Sequence, residues 1–202
     1  GRLRFVTSEA TTGCSTTDSA TGCAFTDTTI SALGGRPTFL FGVAAFSGTG
    51  IKKVTFPESL KKIEAFAFEG CTVLYDIALP SSLKDFGDYT FRNTNIKTFS
   101  APGITRIPVS AFENCTKLKS VTIPASVETI GSSAFDHCKA LKSITVPSGV
   151  KSIGGNVFYN CSAIETIEFE DGVTEIPEGA MINCFSLKNV TLPATLKKVG
   201  EN

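Results

Sequence analysis

The chain has 202 residues, of which 19 are basic and 19 acidic, with 42% hydrophobic and 19% charged side chains. Such a composition folds and carries no strong global field, which argues against disorder and against bulk nucleic-acid binding. The longest apolar run, around Phe39–Phe46, is far short of the ~20 residues that span a bilayer, so no membrane insertion is expected.

Residues 1–36 are rich in Thr, Ser and Gly and read as an N-terminal cap segment, with residues 37–202 as a separate repeat region. The opening Gly1-Arg2-Leu3-Arg4 has neither an initiator methionine nor a signal-like apolar stretch, which fits a removed leader and a trimmed chain equally. From there a period dominates. Cys115, Cys138, Cys161 and Cys184 follow one another at intervals of 23 residues, with their surroundings in phase. Units start at Ile51, Leu74, Ile96, Leu118, Leu141, Ile164 and Leu187, after an imperfect copy ending at Phe46-Ser47-Gly48-Thr49. A repeat of this length is the mark of a solenoid, here of about eight 22–23-residue repeats, the first and last incomplete.

Each unit divides into three pieces. The stretch Leu141-Lys142-Ser143-Ile144-Thr145-Val146 alternates apolar and polar residues and is rich in β-branched ones, so it reads as a short parallel strand. Strands are expected over Leu74–Leu79, Leu118–Ile123, Leu141–Val146 and Leu187–Leu192, each ended by a proline such as Pro124, Pro147 or Pro193. A second apolar pair, Val127 with Ile130 or Val150 with Ile153, suggests another short extended segment on the opposite side. The unit closes with Ala-Phe-x-x-Cys, where Ala134 and Cys138 stand four apart, as on one face of a short helical turn. Phe46, Phe68, Phe91, Phe112, Phe135 and Phe158, with Met181 in the next copy, predict a continuous buried spine of rings.

His137 is the only histidine and stands beside Cys138. Its equivalents in other copies are Gly48, Gly70, Asn93, Asn114, Asn160 and Asn183. All these residue types tolerate positive φ, which predicts a left-handed turn position, not a metal ligand or a general base.

In register, Ile123-Pro124, Ile130-Gly131, Ala134-Phe135 and Cys138, then Val146-Pro147, Ile153-Gly154, Phe158 and Cys161, make the chain resemble the BspA-like, or Treponema-type, branch of the leucine-rich-repeat proteins. The likeness runs from about Pro37 to Gly200, with departures at Glu170 for proline, Thr90 and Val157 for alanine, and Thr49 and Thr94 for cysteine. It implies an α/β fold class: a right-handed leucine-rich-repeat solenoid with short parallel strands and short helical turns. It also implies a secreted or cell-surface protein, adhesin-like, whose partner is a host extracellular-matrix protein or another cell-surface protein.

Among the seven cysteines, those at positions 71, 115, 138, 161 and 184 alternate with Thr and read as free, buried packing residues. Adjacent copies could reach disulfide range, whereas zinc is disfavoured because no companion histidines exist. Cys14 and Cys23 bound a polar loop in the leader, the form of a disulfide in an exported protein, with an irregular cap holding two reduced thiols as the alternative. Asn114, Asn160 and Asn189 head glycosylation sequons. No nucleotide loop, paired-carboxylate site or Ser/His/Asp order can be assembled, so neither an enzyme nor a cofactor is expected.

In a coil of this family the first strand of each unit lines the concave face, and positions two, three and five point to solvent. Position two reads Lys52, Tyr75, Lys97, Lys119, Lys142, Glu165 and Lys188, and position five includes Glu168. Lysines about 5 Å apart repel one another, so the strip favours an acidic partner, unless Lys is a solubilising consensus residue copied by duplication. Tyr75, Glu165 and Glu168 depart from consensus and are the candidates for specificity. The functions that remain are a protein-binding module working through this face and a passive spacer holding another domain off a surface. The last unit lacks its Ala-Phe-x-x-Cys piece, so the chain is expected to be a fragment of a longer protein or to have that end covered by another molecule.

Overall fold

The computed structural model describes residues 29–31 and 39–201, with side chains from residue 41 onward. The chain winds as a parallel β-solenoid whose strands alternate between two ladders. The first ladder takes β1 (Thr29–Ser31), β3 (Lys53–Thr55), β5 (Asp76–Ala78), β7 (Thr98–Ser100), β9 (Ser120–Thr122), β11 (Ser143–Val146), β13 (Thr166–Phe169) and β15 (Asn189–Thr191). The second takes β2 (Phe39–Phe41), β4 (Leu60–Ile63), β6 (Asp85–Phe86), β8 (Arg106–Ile107), β10 (Thr129–Ile130), β12 (Ser152–Ile153), β14 (Glu175–Ile176) and β16 (Lys198–Val199). Pairing steps by one unit, so Lys53 faces Asp76, Ser143 faces Thr166 and Thr166 faces Asn189. β1 lies within the segment read as a cap and pairs with β3.

First strands are shorter than their sequence signature. The N–H of Leu118 closes on the Cys115 carbonyl at 3.0 Å and that of Leu141 on the Cys138 carbonyl at 3.1 Å, so the opening Leu finishes a turn. The ladder starts after it, at β9 and β11, and likewise at β5 and β15.

The α/β expectation with helical turns requires correction, because the described residues contain no helix. Each closing loop carries two left-handed residues four apart, as in Phe66 with Gly70, Tyr89 with Asn93, Ser110 with Asn114, Ser133 with His137 and Asn156 with Asn160. The first of each pair interrupts helical φ/ψ before a ladder of i to i−4 bonds can form. The N–H groups instead alternate in direction. Asp136 and Cys138 close tight turns on Ser133 and Phe135, both at 3.1 Å, while Phe135 and His137 reach the next coil at Val157 (3.0 Å) and Tyr159 (2.8 Å). The closing loops thus form a third hydrogen-bonded wall, and the class is a β-solenoid. The second residue of each pair is the column predicted from Gly, Asn and His, with His137 at φ 57°.

The core lies between these walls. Phe46, Phe68, Phe91, Phe112, Phe135 and Phe158 stack as a continuous column, with neighbouring ring centroids 5.5–5.8 Å apart and planes within 17° of parallel. The Ile-Gly signature has its own cause: a Cβ on Gly131 would overlap the backbone of Val109, and one on Gly154 that of Ser132, each on the preceding coil.

Candidate functional site

Strand pleating sets which side chains the first ladder offers outward. In β7 Thr98 and Ser100 are exposed around buried Phe99, and in β11 Ser143 and Thr145 alternate with buried Ile144 and Val146. Position two stands just ahead of each strand, held by its N–H on the preceding coil: Tyr75 on Lys52 (3.2 Å), Lys119 on Lys97 (2.8 Å), Glu165 on Lys142 (2.8 Å) and Lys188 on Glu165 (3.0 Å). These bonds align position two in three runs, Lys52 with Tyr75, Lys97 with Lys119, and Lys142 with Glu165 and Lys188, separated where β5 and β7 and where β9 and β11 are not hydrogen-bonded to each other.

Two of the residues singled out as departures, Tyr75 and Glu165, turn out to be partners of lysines at the same position. Lys97 Nζ lies 5.5 Å from the Tyr75 ring centroid, a cation–π contact. The Glu165 carboxylate takes Lys188 Nζ at 3.0 Å and Lys142 Nζ at 3.6 Å. The Lys188 hydrogen bond, aided by the charges of both lysines, holds the Glu165 carboxyl below its ordinary value. Glu168 accepts from Thr145 Oγ1 at 3.2 Å across the strands. Repulsion along the strip is therefore relieved at Lys142 and Lys188 and left standing at Lys119, whose ammonium has no anionic partner among the described residues.

Lys117 and Lys139 belong with this surface and escaped the strand-position reading, because they sit on the exposed turns that feed β9 and β11. The Lys117-Leu118-Lys119 and Lys139-Ala140-Leu141-Lys142 sequences are the signal that points to them. Away from the strip, Arg92 binds Glu69 and lies 4.8 Å from the Tyr89 ring centroid, and Arg106 Nε reaches Asp85 at 2.7 Å.

His137 is bonded within its wall. Its Nδ1 is 2.5 Å from Asp136 Oδ1 and its Nε2 is 3.0 Å from Asn160 Nδ2. Asn183 Nδ2 in turn donates to Asn160 Oδ1 at 2.8 Å, and Asn114 Nδ2 to Asn93 Oδ1 at 2.6 Å, so two of the sequon asparagines are tied into side-chain ladders. The thiols of Cys71, Cys115, Cys138, Cys161 and Cys184 are free. Each donates to the carbonyl of the spine Phe on the preceding coil, at 3.0–3.2 Å. Burial pushes Cys115 up to about 12 and Cys184 to about 11, and raises the others as well. Thr94 takes the same carbonyl system from its own turn, Oγ1 to Phe91 O at 2.8 Å. Cys14 and Cys23 lie outside the described residues.

The profile of the BspA type Leucine rich repeat region, in six copies, matches residues 40–118 and 88–202. The chain belongs to the BspA-type leucine-rich-repeat family. The profile counts six copies where about eight repeats were expected, and the described residues supply eight strands to each ladder. Among solved structures this BspA-type chain is similar to the leucine-rich-repeat protein of T. pallidum, with 25% identity and a TM-score of 0.56 over 81% of this chain and 66% of that one. It thus spans just under two thirds of that relative's length. A leucine-rich-repeat protein from Bacteroides ovatus (24% identity, TM-score 0.46, 80% of this chain and 66% of that one) is another. A leucine rich cell surface protein from Faecalibacterium prausnitzii (24%, 0.46, 70% and 53%) is a third. No curated protein sequence matches. No helix among the described residues is long and apolar enough to cross a membrane.

Proposed function

We propose that this chain is a non-enzymatic protein-binding module, adhesin-like, that works secreted or at a cell surface and holds an acidic partner protein on the exposed face of its first ladder. Family membership supports a protein-interaction role, because leucine-rich-repeat coils bind along the extended surface that stacked strands create. The observation that carries the reading is the column at Lys97 and Lys119. These neighbouring ammonium groups stand exposed with no carboxylate in reach, a repulsion that an acidic partner removes. Host extracellular-matrix and other cell-surface proteins are the partners to screen. Capture from such a panel by immobilised protein should fall sharply for a Lys119→Glu/Lys142→Glu variant. Capture that is unchanged by the double reversal, or none from any panel member, favours a passive spacer instead.

A further inference from the structure

We propose that the face from Lys97 to Lys142 receives an α-helical segment of the partner, bearing a stripe of carboxylates and lying along the ladder axis. The inference rests on the protein-binding reading above and narrows it to one class of partner.

The coil neutralises ladder charges wherever a carboxylate stands one step away. Lys53 pairs with Asp76 at 3.1 Å, Lys151 with Glu128 at 3.0 Å, Lys188 with Glu165 at 3.0 Å and Lys198 with Glu175 at 2.6 Å. Across the coils opened by Ile96, Leu118 and Leu141 the first strands contain no carboxylate at all. Lys97, Lys117, Lys119 and Lys139 consequently have no anionic partner among the described residues, although the same geometry supplies one elsewhere. A basic patch is thus bounded on one side by Asp76 and on the other by Glu165 and Glu168.

Spacing selects the shape of what fits. Coils held by parallel pairing recur about every 4.7–4.9 Å, through β7 with β9 between Lys97 and Lys119 and through β10 with β12 in the second ladder between the coils of Lys119 and Lys142, so the three lysines span roughly 10 Å. Carboxylates on one face of a helix recur at about the 5.4 Å pitch, and three of them span roughly 10.5 Å. An extended strand repeats same-side residues every ~6.7 Å, and three would overrun the lysines by about 4 Å. Beside the lysine column the floor is made of short hydroxyl side chains, Thr98, Ser100, Ser120, Thr122, Ser143 and Thr145, all exposed. Long lysines flanking short hydroxyls leave a step against which a helix ~10 Å wide can rest. Glu165 and Glu168 repel a carboxylate stripe that runs further, so the acidic face covers about two turns and is followed by a Lys or Arg.

The test uses the full chain and labelled peptides in fluorescence anisotropy at low ionic strength. One helix-forming peptide places Glu at i, i+4 and i+7 with Lys at i+11, a second of identical composition scatters the same residues around the helix, and heparin is the third probe. The striped peptide should bind at least about ten-fold tighter than the scattered one. That advantage should vanish in Lys97→Glu/Lys119→Glu and persist in Lys197→Glu, an exposed reversal elsewhere that controls for folding. Equal binding of the two peptides, lost in the double variant, would overturn the helix and leave the acidic-protein reading standing. Preference for heparin, or no binding of any probe, would overturn both.

Discussion

Phe135 is fully buried, stacked between Phe112 at 5.5 Å and Phe158 at 5.8 Å. Truncating it to Ala removes the ring and opens the column on both sides, so urea denaturation should register a loss of about 3–5 kcal/mol. A loss below about 1 kcal/mol would mean that the column is not the stabilising core. Position was legible here because an aromatic recurring in phase beside a small residue, with Met181 as its substitute, has few uses other than burial. The ladder cysteines were half legible: their exchange with Thr marked a small packing residue, yet the S–H bond to a carbonyl one coil back has no signature within a single unit. Cys138→Thr retains a donor and should cost less than Cys138→Leu, which overfills a fully buried site, typically by 1–3 kcal/mol. Burial raises the folded thiols, Cys115 to about 12, while an unfolded thiol ionises near about 8.5. Above that pH the unfolded chain has released protons that the folded chain keeps, so stability falls as pH rises. Urea titration at pH 10 should give a stability lower than at pH 7.5 by up to about 2 kcal/mol per buried thiol, and less of a decline in Cys115→Thr. A chain as stable at pH 10 as at pH 7.5 would contradict this account of the thiols.

The closing loop is the element in which sequence and structure part company. Its second left-handed position could be read from the Gly, Asn and His that occupy it. The first could not, because Phe66, Tyr89, Ser110 and Ser133 are not residues that favour positive φ and only Asn156 and Gly179 among its occupants are. What imposes the conformation is the neighbouring coil, whose carbonyls take the N–H groups that a helix would have used internally. Phe66 and Tyr89 also stack, with centroids 4.9 Å apart, across the strained positions. At the second position Asn160→Ala combines a costly left-handed alanine with the loss of side-chain bonds to His137 and Asn183. Thermal unfolding should place it about 1–3 kcal/mol below wild type, with Asn160→Gly closer to wild type because only the side-chain bonds are lost. Equal costs for the two substitutions would remove backbone strain from the explanation.

Across the whole molecule the period, the two strands per unit and the spine were all readable, because duplication repeats each physical requirement in phase. The charge pattern of the outward face was readable in part. Position two could be tabulated from the repeat, but which lysines are paired depends on rotamers and on Lys117 and Lys139, which stand outside the strand. The last described coil exposes Val190, Leu192 and Val199, although their counterparts Ile167, Phe169 and Ile176 are buried. Since each coil is covered only by its neighbours, amide exchange in this chain should be faster in β15 and β16 than in β9 to β12. Uniform protection would contradict a stability built from nearest-neighbour stacking. The most direct test of the binding face is lysine footprinting by acetylation and mass spectrometry, with and without a captured acidic partner. Binding at the first ladder predicts protection of Lys97, Lys119 and Lys142, with Lys62, Lys151 and Lys198 unchanged; protection confined to the latter group would place the interface on the second ladder and contradict the account.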